Sequence, residues 1–154
     1  MGNSVRDEKL EKLEFFIGEW ELEVIHPHFK TNSINGQAVF DWMEKEKFVV
    51  QRTNINQPEF PSSTIVYDYD PNAGIYIQHY FDSRGITRLY HMSLEKNLWK
   101  VWRDTSDFSQ LDFCQRFFGE FNESGDVIQS SWETSNDGIH WEHDFRVVYK
   151  KLGK

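Results

Sequence analysis

The sequence predicts a mainly β fold: a single closed antiparallel barrel of about ten strands, with one N-terminal capping helix. Three observations carry that reading. Aromatic residues make up 16% of the 154 residues, as 13 Phe, 6 Trp and 6 Tyr, while Ala occurs only at Ala38 and Ala73. Aromatic and β-branched side chains suit pleated, half-buried surfaces, and Ala is the best helix former, so this balance favours strands. From Gly18 onward the apolar period is two, and clusters of turn residues cut the chain into short runs.

The first segment is the exception. Leu10, Leu13, Phe16 and Ile17 recur at helical spacing between charged residues. Ser4-Val5-Arg6-Asp7 resembles a capping box and Gly18 supplies a stop, so a helix is expected over about 5–17. In Glu19-Trp20-Glu21-Leu22-Glu23-Val24, glutamates then alternate with apolar residues, the pattern of a half-buried strand. Further strands are expected near 36–43, 47–55, 63–69, 74–81, 86–93, 97–103, 113–121, 126–133 and 141–150. Turn chemistry separates many of them, as in Asp70-Pro71-Asn72-Ala73-Gly74, Ser83-Arg84-Gly85, Glu123-Ser124-Gly125-Asp126 and Asn136-Asp137-Gly138.

Tight turns join antiparallel neighbours, so the strands form a meander. An open meander would leave two sticky edges, and closure into a barrel removes them. Closure also gives the helix a surface to cover, since its apolar stripe can cap one open end. The two longer connections, about 56–62 (with Pro58 and Pro61) and about 104–112, read as lid-like loops. With no repeat, low-complexity segment or linker, residues 1–154 read as one domain.

Composition narrows the function classes. Leu, Ile, Val and Phe make roughly 27% of the chain, enough for a packed core. The formal net charge is −8, and phosphate-rich partners need clustered Lys and Arg, so neither nucleic acid nor an anionic membrane is expected as a partner. The basic cluster Lys150, Lys151 and Lys154 reads as a solvated tail. No run approaches a membrane span, and the charged opening Arg6-Asp7-Glu8-Lys9 is unlike a signal peptide. The single Cys114 excludes an internal disulfide and fits a reducing, cytoplasmic setting. Oligomeric state is left open, a homodimer included.

Phe16-Ile17-Gly18-Glu19-Trp20, following a helix and opening the first strand, resembles the Gly-x-Trp signature of the calycins, the group that contains lipocalins and fatty-acid-binding proteins. Further stretches resemble the lipocalin-like family catalogued as domain of unknown function 1579. These are Tyr67-Asp68-Tyr69-Asp70-Pro71, Tyr76 to Gly85, Trp99-Lys100-Val101-Trp102-Arg103, Gln115-Arg116-Phe117 and Ser135 to Glu142. The resemblance runs from about residue 8 to 150. It implies a small antiparallel barrel with an internal cavity and no known activity, so function rests on the site.

Arg103 shares a strand face with Trp99 and Val101, and His79 shares one with Ile75, Ile77 and Phe81. Polar groups among apolar neighbours are expected inside, where they need partners. An arginine in a barrel cavity is a clamp for a carboxylate head, a device used by the fatty-acid carriers of the resembled group. The competing reading makes Arg103 a structural bridge to Asp82 or Asp144. Tyr90, Trp132, Gln115 and Trp102 complete the expected ligand-binding set. The expected partner is a small hydrophobic or amphipathic molecule, held without a cofactor or a catalytic residue.

His26-Pro27-His28 brings two imidazoles together without a third ligand at metal-binding spacing. Haem is the alternative cofactor: the nitrobindin group is a related ten-stranded barrel with a His ligand on its last strands, where His143 stands. Cys114 lacks visible activation, and no hydrolase elbow, phosphate loop or dinucleotide fingerprint occurs. A steroid-isomerase-like cone would need more N-terminal helix than one short segment. A barrel filled by its own aromatics, with a structural or interaction role, is the remaining alternative.

Overall fold

The computed structural model describes residues 4–27, 34–108 and 110–153. Ten antiparallel strands close into one barrel in meander order, with the first strand paired to the last. They are β1 (Gly18–Ile25), β2 (Ile34–Met43), β3 (Phe48–Ile55), β4 (Ser63–Asp70), β5 (Ile75–Asp82), β6 (Thr87–Glu95), β7 (Leu98–Arg103), β8 (Cys114–Phe121), β9 (Val127–Ser135) and β10 (Glu142–Lys151). The mainly β closed barrel with one N-terminal helical cap is therefore as the sequence predicts. Trp20↔Lys151 through Ile25↔Arg146 form the closing ladder, so none of the ten described strands is left with an unpaired edge.

The helix departs from expectation in its second half. Helix α1 covers Val5–Glu11, with the Ser4 side chain accepting a hydrogen bond from the Asp7 N–H as the capping-box reading requires. From Lys12 to Phe16 the chain tightens into a 3-10 turn. The reason lies in the spacing Leu10, Leu13, Phe16. A helix with three residues per turn stacks positions three apart, which keeps all three side chains aimed at the barrel end. All three are buried. Gly18 is not a left-handed helix cap: it has φ +134 and opens β1, where a Cβ would lie 3.2 Å from the Lys151 side chain.

These side chains close one end of the barrel. The Phe16 ring lies 5.0 Å from Phe40 and 4.8 Å from Trp99. The Trp20 indole donates to the Phe16 carbonyl at 2.8 Å, and Lys151 Nζ donates to the Phe15 carbonyl at 2.7 Å while lying over the Trp20 ring. Lys150 and Lys151 are thus not a solvated tail. They belong to β10, and Lys151 fastens the cap; Lys154 lies outside the described residues.

Register divides each strand into an inner and an outer face. Tyr76, Gln78 and Tyr80 of β5 sit opposite Met92, Tyr90 and Arg88 of β6, all inward. The lower layers are filled by Trp20, Phe40, Tyr67, Trp99 and Phe117. Toward the other end the filling thins, and a cavity opens.

Candidate functional site

The cavity has a volume of about 330 Å³ and sits inside the barrel, opposite the helical cap. Its apolar wall includes Phe60, Phe113, Trp132 and Phe145, and its polar groups include Gln51, Tyr80, Arg88, Tyr90, Gln115 and Asp144. Phe60 comes from the 56–62 connection and Phe113 from the segment entering β8, so both long connections reach the mouth. His26 stands at the rim, stacked on Phe145 at 6.0 Å with its Nε2 3.9 Å from Asp144. A larger groove of about 600 Å³ lies outside the barrel, between the helix and the turns 95–97 and 121–125. None of the sequence-predicted site residues lines that groove, whereas three of them line the inner cavity.

Those three are Tyr90, Gln115 and Trp132. The Tyr90 hydroxyl donates to Gln115 Oε1 at 2.9 Å, and its ring meets Trp132 at 5.8 Å. Burial pushes the Tyr90 hydroxyl above its ordinary pKa, so it remains a neutral donor.

Arg103 is buried beside Trp99 and Val101, but it does not line the cavity. Its Nε and Nη2 donate to the two carboxylate oxygens of Asp107, each at 2.9 Å. Arg103 thus makes the structural bridge its sequence also suggests, but with a different partner. Asp82 is bonded to Arg84 and Asp144 lies against His26, whereas Asp107 comes from the connection that follows Arg103. Asp107 also accepts from the Leu89 N–H at 2.8 Å, so the 104–112 segment is pinned to β6 and β7 rather than loose as a lid.

His79, Trp102 and His143 face outward. The inward residues of β5 are Tyr76, Gln78 and Tyr80, and His79 is half-exposed, 3.8 Å from Asp68. Trp102 stacks on His91 at 5.8 Å. It belongs to an outer row that runs Ile77, His91, Trp102, Arg116, Glu133 across successive strands and ends at His143. His143 is exposed, and the bulge between it and Phe145 is what returns β10 to the inward register at Phe145. No histidine lines the cavity among the described residues, so the residues present do not fit a haem held by His143. His28 lies outside the described residues, and no group of three or more His, Cys, Asp or Glu among the described residues is placed to hold a metal ion.

Sequence reasoning missed Arg88, the cavity's most informative residue. It stands two positions before Tyr90 on the same face of β6, so the period-two pattern was sufficient to place it. Its Nη1 reaches the Tyr90 hydroxyl at 3.4 Å and Gln115 Oε1 at 3.5 Å, both neutral groups at the long limit of a hydrogen bond. Its Nε is buried with no partner. Arg84, also at the mouth, is different: Asp82 binds it at 2.6 Å. Burial alone would raise the Asp82 carboxyl, but bonds from Arg84, Tyr80 and the backbone N–H groups of Arg84 and Ile86 outweigh this and hold it at about 2.

No family model matches the chain, and no curated protein matches it in sequence. A solved structure does share its architecture. The crystal structure of Rv2717c from M. tuberculosis superposes with a TM-score of 0.65 at 13% identity, covering 94% of this chain and 97% of that one. At that identity the likeness establishes the barrel fold and nothing of function. No helix among the described residues is long and apolar enough to cross a membrane.

Proposed function

We propose that the protein is a lipocalin-like binding barrel, related to the calycins, that holds a small amphipathic anion in its cavity. The apolar body packs against Phe60, Trp132 and Phe145, and the anionic head is met by Arg88. One observation carries this reading: Arg88 lines the cavity with no ion pair among the described residues, while the neighbouring Arg84 and Arg103 each hold an aspartate. Arg88 is half-buried, with its Nε cut off from solvent and without a hydrogen-bond partner. Leaving such a donor unmet is costly, and a carboxylate or phosphate satisfies the planar fork with charge-assisted bonds. Asp144 is the one acidic group on the cavity wall among the described residues, four strands round the barrel from Arg88, and it faces His26. It keeps an anion on the Arg88 side.

The cavity lies within the usual size of small-molecule sites, which bury most of an apolar ligand and orient it by a few polar groups. The test is a tryptophan-fluorescence titration of delipidated protein with medium-chain fatty acids and their methyl esters, since Trp132 lines the site. Saturable quenching by the acids, with esters at least ~10-fold weaker, supports the reading. Equal binding of acid and ester contradicts the role of Arg88, and no binding of either contradicts the cavity as a binding site.

A further inference from the structure

Below the cavity the barrel holds a second void of about 40 Å³. Gln51, Ile65, Trp132 and Tyr149 line both spaces, so the void adjoins the inner end of the cavity. It is large enough for a single oxygen-centred group, and an apolar barrel interior would be expected to fill it with carbon. Its wall instead carries Gln51, Tyr67, Gln78, Trp99 and Tyr149.

Two of these donors lack a good acceptor. Trp99 is buried and its Nε1 has no hydrogen-bond partner. The Gln78 amide, also buried, donates to the Met92 thioether at 3.3 Å, and sulfur is a weak acceptor. Tyr67 and Gln51 are occupied by each other and by Thr53: Tyr67 donates to Gln51 Oε1 at 2.6 Å, and Gln51 Nε2 donates to Thr53 at 2.9 Å. Among the described residues, only two buried side-chain polar atoms have no partner at all, Arg88 Nε and Trp99 Nε1. One lines the cavity and the other residue lines the void behind it.

We propose that the void is the inner polar subsite of the binding cavity, and that it takes one hydroxyl or carbonyl oxygen carried at the inner end of the ligand. Trp99 and Gln78 supply the hydrogen bonds to that oxygen. The ligand class is then an anion with an apolar middle and a second oxygen at its far end, of the kind represented by ω-hydroxy and ω-oxo carboxylates. This deepens the reading given above and rests on it. A purely apolar tail would leave the same donors unpaired, which is the means by which such a site rejects it.

The experiment compares C8 to C12 fatty acids with their ω-hydroxy counterparts by isothermal titration, in wild type, Trp99→Phe and Gln78→Met. The expected result is an ω-hydroxy acid that binds at least ~5-fold tighter than its parent at the best-fitting length, with that preference falling below about 2-fold in both variants. If Trp99→Phe does not fold, Gln78→Met alone decides. Parent acids that bind as well as or better than the ω-hydroxy acids at every length overturn the inference and leave the cavity reading standing, the void then holding water. A preference that survives in a folded variant also overturns it. Failure of all the acids to bind overturns both readings together.

Discussion

The Arg103 guanidinium and the Asp107 carboxylate face each other inside the barrel wall, joined by two hydrogen bonds of 2.9 Å each. This pair decides which arginine is available to a ligand. Arg103 has the apolar neighbours and the family-like motif that point to a clamp, yet its charge is matched. Arg88, in a less conspicuous stretch, lines the cavity and has no ion pair among the described residues.

Removing one partner of a buried pair leaves the other charge uncompensated. Asp107→Ala is therefore expected to destabilise the fold by about 3–5 kcal/mol, with Arg103→Ala close behind. Urea unfolding followed by tryptophan fluorescence measures both. A midpoint unchanged from wild type in either variant would remove the structural role assigned to the pair.

Asp82 makes stability depend on acid. Its carboxyl is held at about 2 against an ordinary value of 3.8, so its contribution is fully present above pH 4 and is lost as the pH falls toward 2. The size expected is about 1–2 kcal/mol once solvent near the mouth is allowed for. Asp82→Asn should lower stability at neutral pH by that amount and flatten the acid limb of a denaturation series between pH 4 and 2. An acid limb identical in the two proteins would mean the carboxylate carries none of it.

The cap hangs on Trp20. Trp20→Phe keeps a ring under Lys151 but deletes the 2.8 Å bond to the Phe16 carbonyl, at an expected cost of about 1–3 kcal/mol. Hydrogen exchange should then rise first in α1 and the 3-10 turn. Faster exchange spread evenly over the ten strands would show that the bond does not fasten the cap in particular.

His79→Ala and His143→Ala test the outer-face assignment. Neither side chain lines the cavity, so each is expected to change stability by less than about 0.5 kcal/mol and to leave ligand affinity unaltered. A several-fold loss of affinity in a folded His79 variant would place that residue inside after all.

The fold was legible because period-two alternation and turn residues are local signals, and closure follows from the cost of open edges. The strand bounds fall within two residues of expectation at most positions. The 3-10 turn was written in the spacing of Leu10, Leu13 and Phe16, which suits three residues per turn, but an amphipathic α-helix shares that spacing over a short run. Which face turns inward was harder. In β5 the hydrophobic set Ile75, Ile77 and Phe81 looks like the core face, yet this barrel fills itself with Tyr76, Gln78 and Tyr80. Polar side chains with hydrogen-bond partners (the Lys9 carbonyl for Tyr76, the Met92 sulfur for Gln78, Asp82 for Tyr80) take the place of apolar packing there, so hydrophobicity points the wrong way. His143 illustrates a second limit, since one bulge residue shifts the register of β10 and no turn signal announces it. The partner of Arg103 was hidden because Asp107 lies in an irregular connection whose path no periodicity describes.

The most direct test of the account is calorimetric titration of Arg88→Met with a fatty acid and its methyl ester, beside wild type. Methionine keeps much of the apolar stem and removes the charge. The account predicts at least ~10-fold weaker binding of the acid, with binding of the ester unchanged and thermal stability equal to or above that of wild type. Acid affinity retained in a folded Arg88→Met protein would contradict it, and the anion would then have to be held elsewhere.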